Sequence, residues 1–345
     1  MSKYKISLIE GDGIGPELAA SAKKILETIH DTTETKFEIK QVSAGDNALV
    51  KYGKALPDFT VNDIKNSDAC LKSPVGEFAA DVIIVLRRMF DLYANIRPAK
   101  SYPNIKGLYD DVDLVIVREN TEDVYIGWEF NLDDDTIIAL RLATKRASER
   151  IAQYAFKVAE FRNKNNKKVT AVHKANVLRK SDRLFVNSCK NVAQKYPNVQ
   201  FNDSYVDACA MNLIRNPQDF DVIVTTNLFG DILSDEAAQV VGGLGMGPTA
   251  NIGDNFALFE PVHGAAFDIA GKDVANPSSL ILSAKMMMEW LSSKNKDNKI
   301  LEESKKLESI IISMLQENKK TIDIGGKLST TEFTENVIKK LKEYY

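Results

Sequence analysis

The sequence predicts an α/β protein with a doubly wound sheet. Two observations lead there: short apolar runs of buried-strand type recur along the chain, and stretches of helical apolar periodicity stand between them. A third is size, since 345 residues with 44% hydrophobic content suffice for two domains or one large α/β unit. No repeat, low-complexity tract or linker interrupts the alternation, so any domain boundary must fall within structured chain.

Lys5 to Ile9 alternates into a strand, and Gly11-Asp-Gly-Ile-Gly-Pro-Glu17 then turns into a helix running to about His30. The GxGxG turn invites a dinucleotide-binding reading. Its third glycine is misplaced for GxGxxG, however, Pro16 follows at once, and no acidic residue closes the next strand near Lys40-Gln-Val42. A tight turn permitted by glycine accounts for it. Phe37 to Val42 reads as a strand, a helix is expected near Asn62 to Ser67, and Ala69 to Lys72 reads as another strand. A helix over Ala79 to Asp91 carries Arg87 and Arg88, and Pro98 keeps Arg97 extended after it. Asp113 to Val117 is an apolar strand, and Asp133-Asp-Asp135 is the turn of a hairpin.

Ala147 to Phe161 is a helix with Ile151, Ala155, Val158 and Ala159 in one stripe. Lys168 to His173 is a strand leading into Lys174-Ala-Asn-Val177. A helix near Leu184 to Gln194 follows, then a strand reaching Val206-Asp207. Gly242 to Gly253 is glycine-rich and reads as a loop, and a second loop closes on Asn276-Pro277. Helices over Ser279 to Leu291 and Ile300 to Gln316 come next, the first with Met286-Met-Met288 as core filler. Ser329-Thr-Thr-Glu332 is a capping box ahead of the last helix.

The chemistry gathers on Asp221-Val-Ile-Val-Thr-Thr-Asn-Leu-Phe-Gly-Asp231-Ile-Leu-Ser-Asp235, read as a buried strand, a turn ending at Gly230 and a helix opening on Asp231. Asp231 and Asp235 are four apart and so share a helix face. Two hard oxygen ligands there suit Mg²⁺ or Mn²⁺. Equally, Asp231 is a candidate N-cap and Asp235 a partner for the helix dipole. Arg87, Arg97 and Arg118 stand at or near element ends, and three guanidinium forks suit a di- or tricarboxylate; three surface arginines are the plain alternative. Lys174 and Tyr125 each admit a catalytic or a merely structural reading.

Composition narrows the classes. A net charge of −3 without a long basic block gives no nucleic-acid-binding surface, and no apolar run is long enough to span a bilayer. Cys70, Cys189 and Cys209 are odd in number and far apart, which argues against a disulfide framework or zinc site and leads us to expect a cytoplasmic enzyme or binding protein.

Seven segments occur in order: Gly11-Asp-Gly-Ile-Gly-Pro-Glu17, Tyr93-Ala-Asn-Ile-Arg-Pro98, Arg118-Glu-Asn-Thr-Glu122, Lys174-Ala-Asn-Val177, Asn227-Leu-Phe-Gly-Asp-Ile-Leu-Ser-Asp235, Phe259-Glu-Pro-Val-His-Gly264 and Ala275-Asn-Pro277. Together they resemble the β-hydroxyacid oxidative decarboxylases, the isocitrate, homoisocitrate and isopropylmalate dehydrogenase family, over essentially the whole chain. The resemblance implies two α/β domains, 1–99 with 250–345 and 100–249, sharing one large mixed sheet that is not a Rossmann fold. It also implies a homodimer whose sites borrow residues from the other subunit. Asp231 and Asp235 would hold the metal with Asp207 of the other subunit; Arg87, Arg97 and Arg118 would grip substrate carboxylates. Tyr125 and the other subunit's Lys174 would be the acid/base pair, with Asn176 nearby.

The same resemblance implies NAD as cofactor, bound along Glu260, His263, Gly264, Asp268 and Asn276. Asp268 stands where the family meets the adenosine ribose, and a carboxylate there repels a 2′-phosphate, whereas NADP-linked relatives resemble Lys-Tyr. Isocitrate enzymes resemble Ser-x-Asn at six and four residues before the first arginine; here those positions hold Asp81 and Ile83. Ile83 and Ile84 suit an isopropyl group, so the expected reaction is oxidative decarboxylation of 3-isopropylmalate in leucine biosynthesis, with isocitrate or homoisocitrate as alternatives. A non-catalytic regulatory subunit of the same fold would lose the metal Asp, the Lys or the Tyr, and this chain keeps all three.

Overall fold

The computed structural model describes residues 2–79, 81–162 and 164–345. The chain opens with β1 (Ser2–Ile9), α1 (Gly15–Thr32), β2 (Thr35–Val42), α2 (Asp46–Tyr52), α3 (Asp58–Lys65), β3 (Ala69–Lys72), α4 (Asp81–Met89) and β4 (Ala94–Lys100). It continues through β5 (Asp113–Glu119), β6 (Glu129–Asp133), β7 (Thr136–Ala139), α5 (Lys145–Arg162), β8 (Lys168–His173), α6 (Ser181–Ala193) and β9 (Gln200–Tyr205). Then come α7 (Val206–Arg215), β10 (Val222–Thr225), α8 (Asn227–Val240), β11 (Pro248–Ile252), β12 (Ala257–Pro261), α9 (Ser278–Asn295), α10 (Asn298–Gln316) and α11 (Thr330–Tyr344).

One ten-stranded mixed sheet runs in the order β2-β1-β3-β12-β11-β4-β5-β10-β8-β9, and β6–β7 is a separate antiparallel ribbon. Pairing is parallel in both wings and antiparallel in the middle, where β12, β11, β4 and β5 meet. This is the large mixed sheet the motifs implied.

The two faces of that sheet differ, and the difference places the site. Alternate strand residues point to opposite faces. One face is apolar throughout: Ile6, Leu71, Phe259, Ala250, Ile96, Val117 and Val224 join a single core under α1, α5, α9 and α11. The other face is apolar only at its ends. Cys70 and Leu258 pack against Val82 and Leu86 of α4, while Ile116 and Ile223 pack against Leu213 of α7 and Leu233 and Ala237 of α8. Between these clusters, the same alternation brings Lys72, Glu260, Asn251, Asn95, Arg97 and Arg118 to the surface of the central strands. Buried polar groups need partners, and this seam supplies them to one another.

Several elements depart from the sequence reading. The helix expected over 79–91 spans Asp81–Met89, with Ala80 outside the described residues. β11 lies inside the stretch read as a glycine-rich loop, because its polar Thr249 and Asn251 hide the apolar alternation of Ala250 and Ile252. α2, short and largely exposed, gave no periodic signal; its first amides, at Asp46 and Asn47, are held by the buried Asp12 carboxylate at 2.7 and 2.9 Å. α3 begins four residues before the expected start, directly after Pro57. The strand expected to reach Asp207 ends at Tyr205, and Val206 and Asp207 open α7. The turn expected to end at Gly230 is helical, since α8 opens at Asn227. Asp231 is therefore not an N-cap. The capping box at Ser329 and Glu332 forms with both of its hydrogen bonds.

Candidate active site

Asp231, one turn into α8, is where the charges meet. Its Oδ1 accepts from Arg118 Nη1 and lies 3.2 Å from Arg97 Nη2, and its Oδ2 accepts from the Tyr125 hydroxyl. Asp235, a turn further on, faces Arg97 Nη1 at 3.0 Å. One guanidinium thus bridges both carboxylates. They titrate in opposite directions: burial raises both, but Arg118, Arg97 and Tyr125 pull Asp231 below the usual carboxylate range, while Asp235 stays above it. Gly230 is what lets Arg118 lie there. A Cβ on it would stand 2.6 Å from Arg118 Cγ.

Arg118 is 1% exposed, and its Nε donates to Asn227 Oδ1 at 2.8 Å. Its Nη2 is buried with no partner. A buried guanidinium N–H left free costs stability unless an acceptor arrives, so this atom marks a place for an anionic oxygen. Burial, reinforced by Arg87 and Arg97, brings the Arg118 pKa down to about 10. Tyr125 lies under the same guanidinium, 5.0 Å from ring centroid to Cζ. Burial and the Asp231 carboxylate raise its pKa, so the hydroxyl keeps its proton.

Arg87 is held from behind. Its Nε donates to Asn251 Oδ1 at 3.0 Å, the oxygen that also accepts from Asn95 and Asn120, and Nη2 stands 3.4 Å from Glu260 Oε1. Lys72 pairs with the other Glu260 oxygen at 2.9 Å. Burial opposes the Glu260 charge, yet Lys72 and Arg87 hold its pKa down at about 2. Lys72, Ile83, Arg87, Arg97, Glu260 and His263 line one cleft of about 550 Å³. Ile83 is one turn before Arg87 on α4 and so presents a branched alkyl group beside the guanidinium. Ile84 is partly buried outside this lining, and Asp81 is exposed. A larger cleft of about 700 Å³ opens on the opposite face and contains none of the expected site residues.

Lys174 and Asp207 form a second, separate group. Lys174 Nζ donates to Asp207 Oδ1 at 2.6 Å, which lowers the Asp207 pKa, and the Asp207 side chain is 66% exposed. Asn176 is exposed on the loop just beyond. Among the described residues no hydrogen bond or ion pair joins this pair to Tyr125 or Asp231, and no three His, Cys, Asp or Glu side chains of one chain converge to hold a metal. Two hard carboxylates converging on one positive charge nonetheless fit a divalent cation, with positions left for other oxygen ligands.

The expected cofactor residues scatter along one rim. His263 is partly buried in the cleft lining, Gly264 and Asp268 are exposed, and a Cβ on Gly264 would meet nothing within 4 Å. Asn276 is buried and committed, donating to Asp323 Oδ2 at 3.0 Å and accepting from the Ser278 amide at 3.0 Å. Glu260 belongs to the network behind Arg87. The GxGxG turn packs against this rim: Ile14 N donates to Ala265 O, and a Cβ on Gly13 (φ +57°) would sit 2.0 Å from that carbonyl. Close approach between loops explains the glycine. Sequence reasoning passed over Lys72, Asn95 and Asn251, polar residues alternating within short strands, and Ser234 on α8, which together hold the arginines and Glu260 in place.

The sequence profile described as isocitrate/isopropylmalate dehydrogenase matches residues 5–337. The 3-isopropylmalate dehydrogenase of Archaeoglobus fulgidus is 51% identical over 333 residues, covering 96% of this chain and 98% of its own. The homoisocitrate dehydrogenase of Methanocaldococcus jannaschii is 45% identical over 99% of both chains. Among solved structures, isocitrate dehydrogenase from Methylococcus capsulatus superposes with a TM-score of 0.90 at 38% identity, covering 98% of this chain and 99% of that one.

Proposed function

The chain belongs to the isocitrate/isopropylmalate dehydrogenase family of oxidative decarboxylases, and from that premise we propose that it converts 3-isopropylmalate and NAD⁺ to 4-methyl-2-oxopentanoate, CO₂ and NADH, a step of leucine biosynthesis. The observation that carries the substrate choice is Ile83, which puts an alkyl wall in the arginine-lined cleft where a third carboxylate would need a donor.

Three arginines within one charge network grip the two substrate carboxylates, with the free Nη2 of Arg118 donating to a carboxylate oxygen, a partner it lacks within the chain. Tyr125, protonated and partly desolvated, holds the proton that the enolate carbon needs once CO₂ has left. Lys174, contributed by a second copy of the chain, takes up the hydroxyl proton, and Asp207 comes with it as a further carboxylate. Mg²⁺ or Mn²⁺ held by Asp231, Asp235 and that Asp207 supplies Lewis acidity to the hydroxyl and the resulting ketone. NAD⁺ supplies the hydride acceptor, and the exposed Asp268 selects it over NADP⁺ by repelling a 2′-phosphate.

The homodimer is supported by more than the absence of a direct contact between the two groups. Tyr205, Met211 and Ile214 around α7 and Ile232 on α8 form exposed apolar surface, as do Phe130, Leu132 and Ile137 on the β6–β7 ribbon. We assign residues 1–99 with 250–345 to one domain and 100–249 to the other. The relatives named for isocitrate and homoisocitrate keep those substrates as the alternative reading.

The test is NADH or NADPH formation from 3-isopropylmalate before and after chelation. Activity with NAD⁺ that is lost on chelation and restored by Mg²⁺ or Mn²⁺ is expected. A preference for NADP⁺, or turnover that survives chelation, would overturn the cofactor or metal assignment.

A further inference from the structure

Arg141 lies in the short segment between β7 and α5, outside every motif that carried the functional reading. All three of its guanidinium nitrogens are engaged. Nε and Nη2 fork onto the two oxygens of Asp123, Nη2 also donates to Thr226 Oγ1 at 2.8 Å, and Nη1 donates to Asp182. Its plane lies over the Phe229 ring, 5.1 Å from the centroid.

What these partners do gives the arginine its significance. Asp123 is 2% exposed; its Oδ1 accepts from Val124 N at 2.9 Å, fixing the short turn that carries Tyr125, and its Oδ2 accepts from Leu228 N at 3.1 Å in the first turn of α8. Thr226 is the residue from which α8 starts, so Asp231 rides on the same anchor. Asp182 is fully buried, and its Oδ2 accepts from the backbone amide of Lys174 at 2.6 Å. A single cation therefore separates two buried carboxylates, each of which anchors a different functional segment. Remove it and both carboxylates are left uncompensated.

We propose that Arg141 is a positioning residue that braces the Tyr125–Asp231 half of one active site and the Lys174 half of the other, so that one guanidinium links the two sites of the dimer. This rests on the shared-site reading above. Arg141 does not line the arginine-lined cleft and its nitrogens are all engaged within the chain, so its loss should act on acid/base geometry rather than on carboxylate binding. The substrate arginines keep their own partners at Asn95, Asn227, Asn251 and Ser234.

The experiment uses purified heterodimers of differently tagged chains. The control pairs a Lys174→Ala chain with a Tyr125→Phe chain, which leaves one complete site; absence of activity in it would defeat the shared-site reading itself. Arg141→Lys keeps the charge but cannot fork, and is placed first on the Lys174→Ala chain and then on the Tyr125→Phe chain. The first placement disturbs the Tyr125 side of the complete site, and the second disturbs the Lys174 side. Both should lower kcat at least about fivefold with KM changed less than about twofold. A loss from only one placement, from neither, or in KM alone would overturn the proposal. If the control is inactive, the homodimer decides: Arg141→Lys with unchanged kcat overturns it, and a kcat loss at constant KM and constant melting temperature supports bracing within one subunit only, which overturns the link between sites.

Discussion

At the scale of single residues, the site is a set of charges that hold one another in place before any ligand arrives. Asp231 accepts from Tyr125 and Arg118 and forms an ion pair with Arg97, and each of those partners would change if its carboxylate were lost. Asp231→Asn should leave the fold intact, reduce turnover to near zero, and lower the Tyr125 pKa, because the hydroxyl loses an anionic acceptor and faces guanidinium groups no longer neutralised. Tyrosinate absorbance during alkaline titration, with Tyr125→Phe as the reference, reads this directly; an unmoved midpoint would contradict the pairing. Glu260 gives a second prediction. Its folded pKa of about 2 lies below its ordinary 4.5, so it contributes stability above pH 4.5 that fades as pH falls toward 2. The displacement corresponds to about 3 kcal/mol, in line with leaving Lys72 and Arg87 unpaired. Glu260→Gln should therefore cost that much in urea unfolding at neutral pH and progressively less toward pH 2. A cost independent of pH would contradict the network.

At the scale of elements, α8 carries the two proposed metal carboxylates and α4 the proposed substrate selector. Gly230 sits inside α8 because Arg118 passes against it, so Gly230→Ala should destabilise by about 1–3 kcal/mol and raise KM. An unchanged melting temperature and KM would show that the strand and helix can separate freely. On α4, Asp81→Ser with Ile83→Asn should shift the kcat/KM ratio toward isocitrate, since it removes a negative charge and an alkyl wall and adds a donor; no shift would exclude Ile83 as the selector. Most of these elements were legible in the sequence. β3, β8 and β10 read correctly because buried strands show continuous apolar runs. β11 and the true start of α8 did not, for one physical reason. Asn251 and Gly230 were chosen by their neighbours on other elements, Arg87 on α4 and Arg118 on β5, and local pattern carries no trace of a neighbour distant in the chain.

At the scale of the whole molecule, the sheet has one apolar face and one face split by a polar seam, and the candidate site lies on that seam. Asp231, Asp235, the arginines and Tyr125 were named from sequence and lie together on one chain, whereas Lys174 and Asp207 pair elsewhere on it. That separation is why a second copy belongs to the account. Among the described residues no helix is long and apolar enough to cross a membrane. The central claim, that the cleft beside Arg87 takes an alkyl group rather than a third carboxylate, is tested most directly by one comparison. Purified protein with NAD⁺ and Mg²⁺ is given 3-isopropylmalate, isocitrate, homoisocitrate and malate, and kcat/KM is measured from NADH formation with CO₂ release counted alongside. Burial of the branched alkyl group against Ile83 should favour 3-isopropylmalate over each of the others by at least about tenfold, with one CO₂ per NADH. Equal or faster turnover of isocitrate would contradict the reading of α4 and the substrate assignment that depends on it.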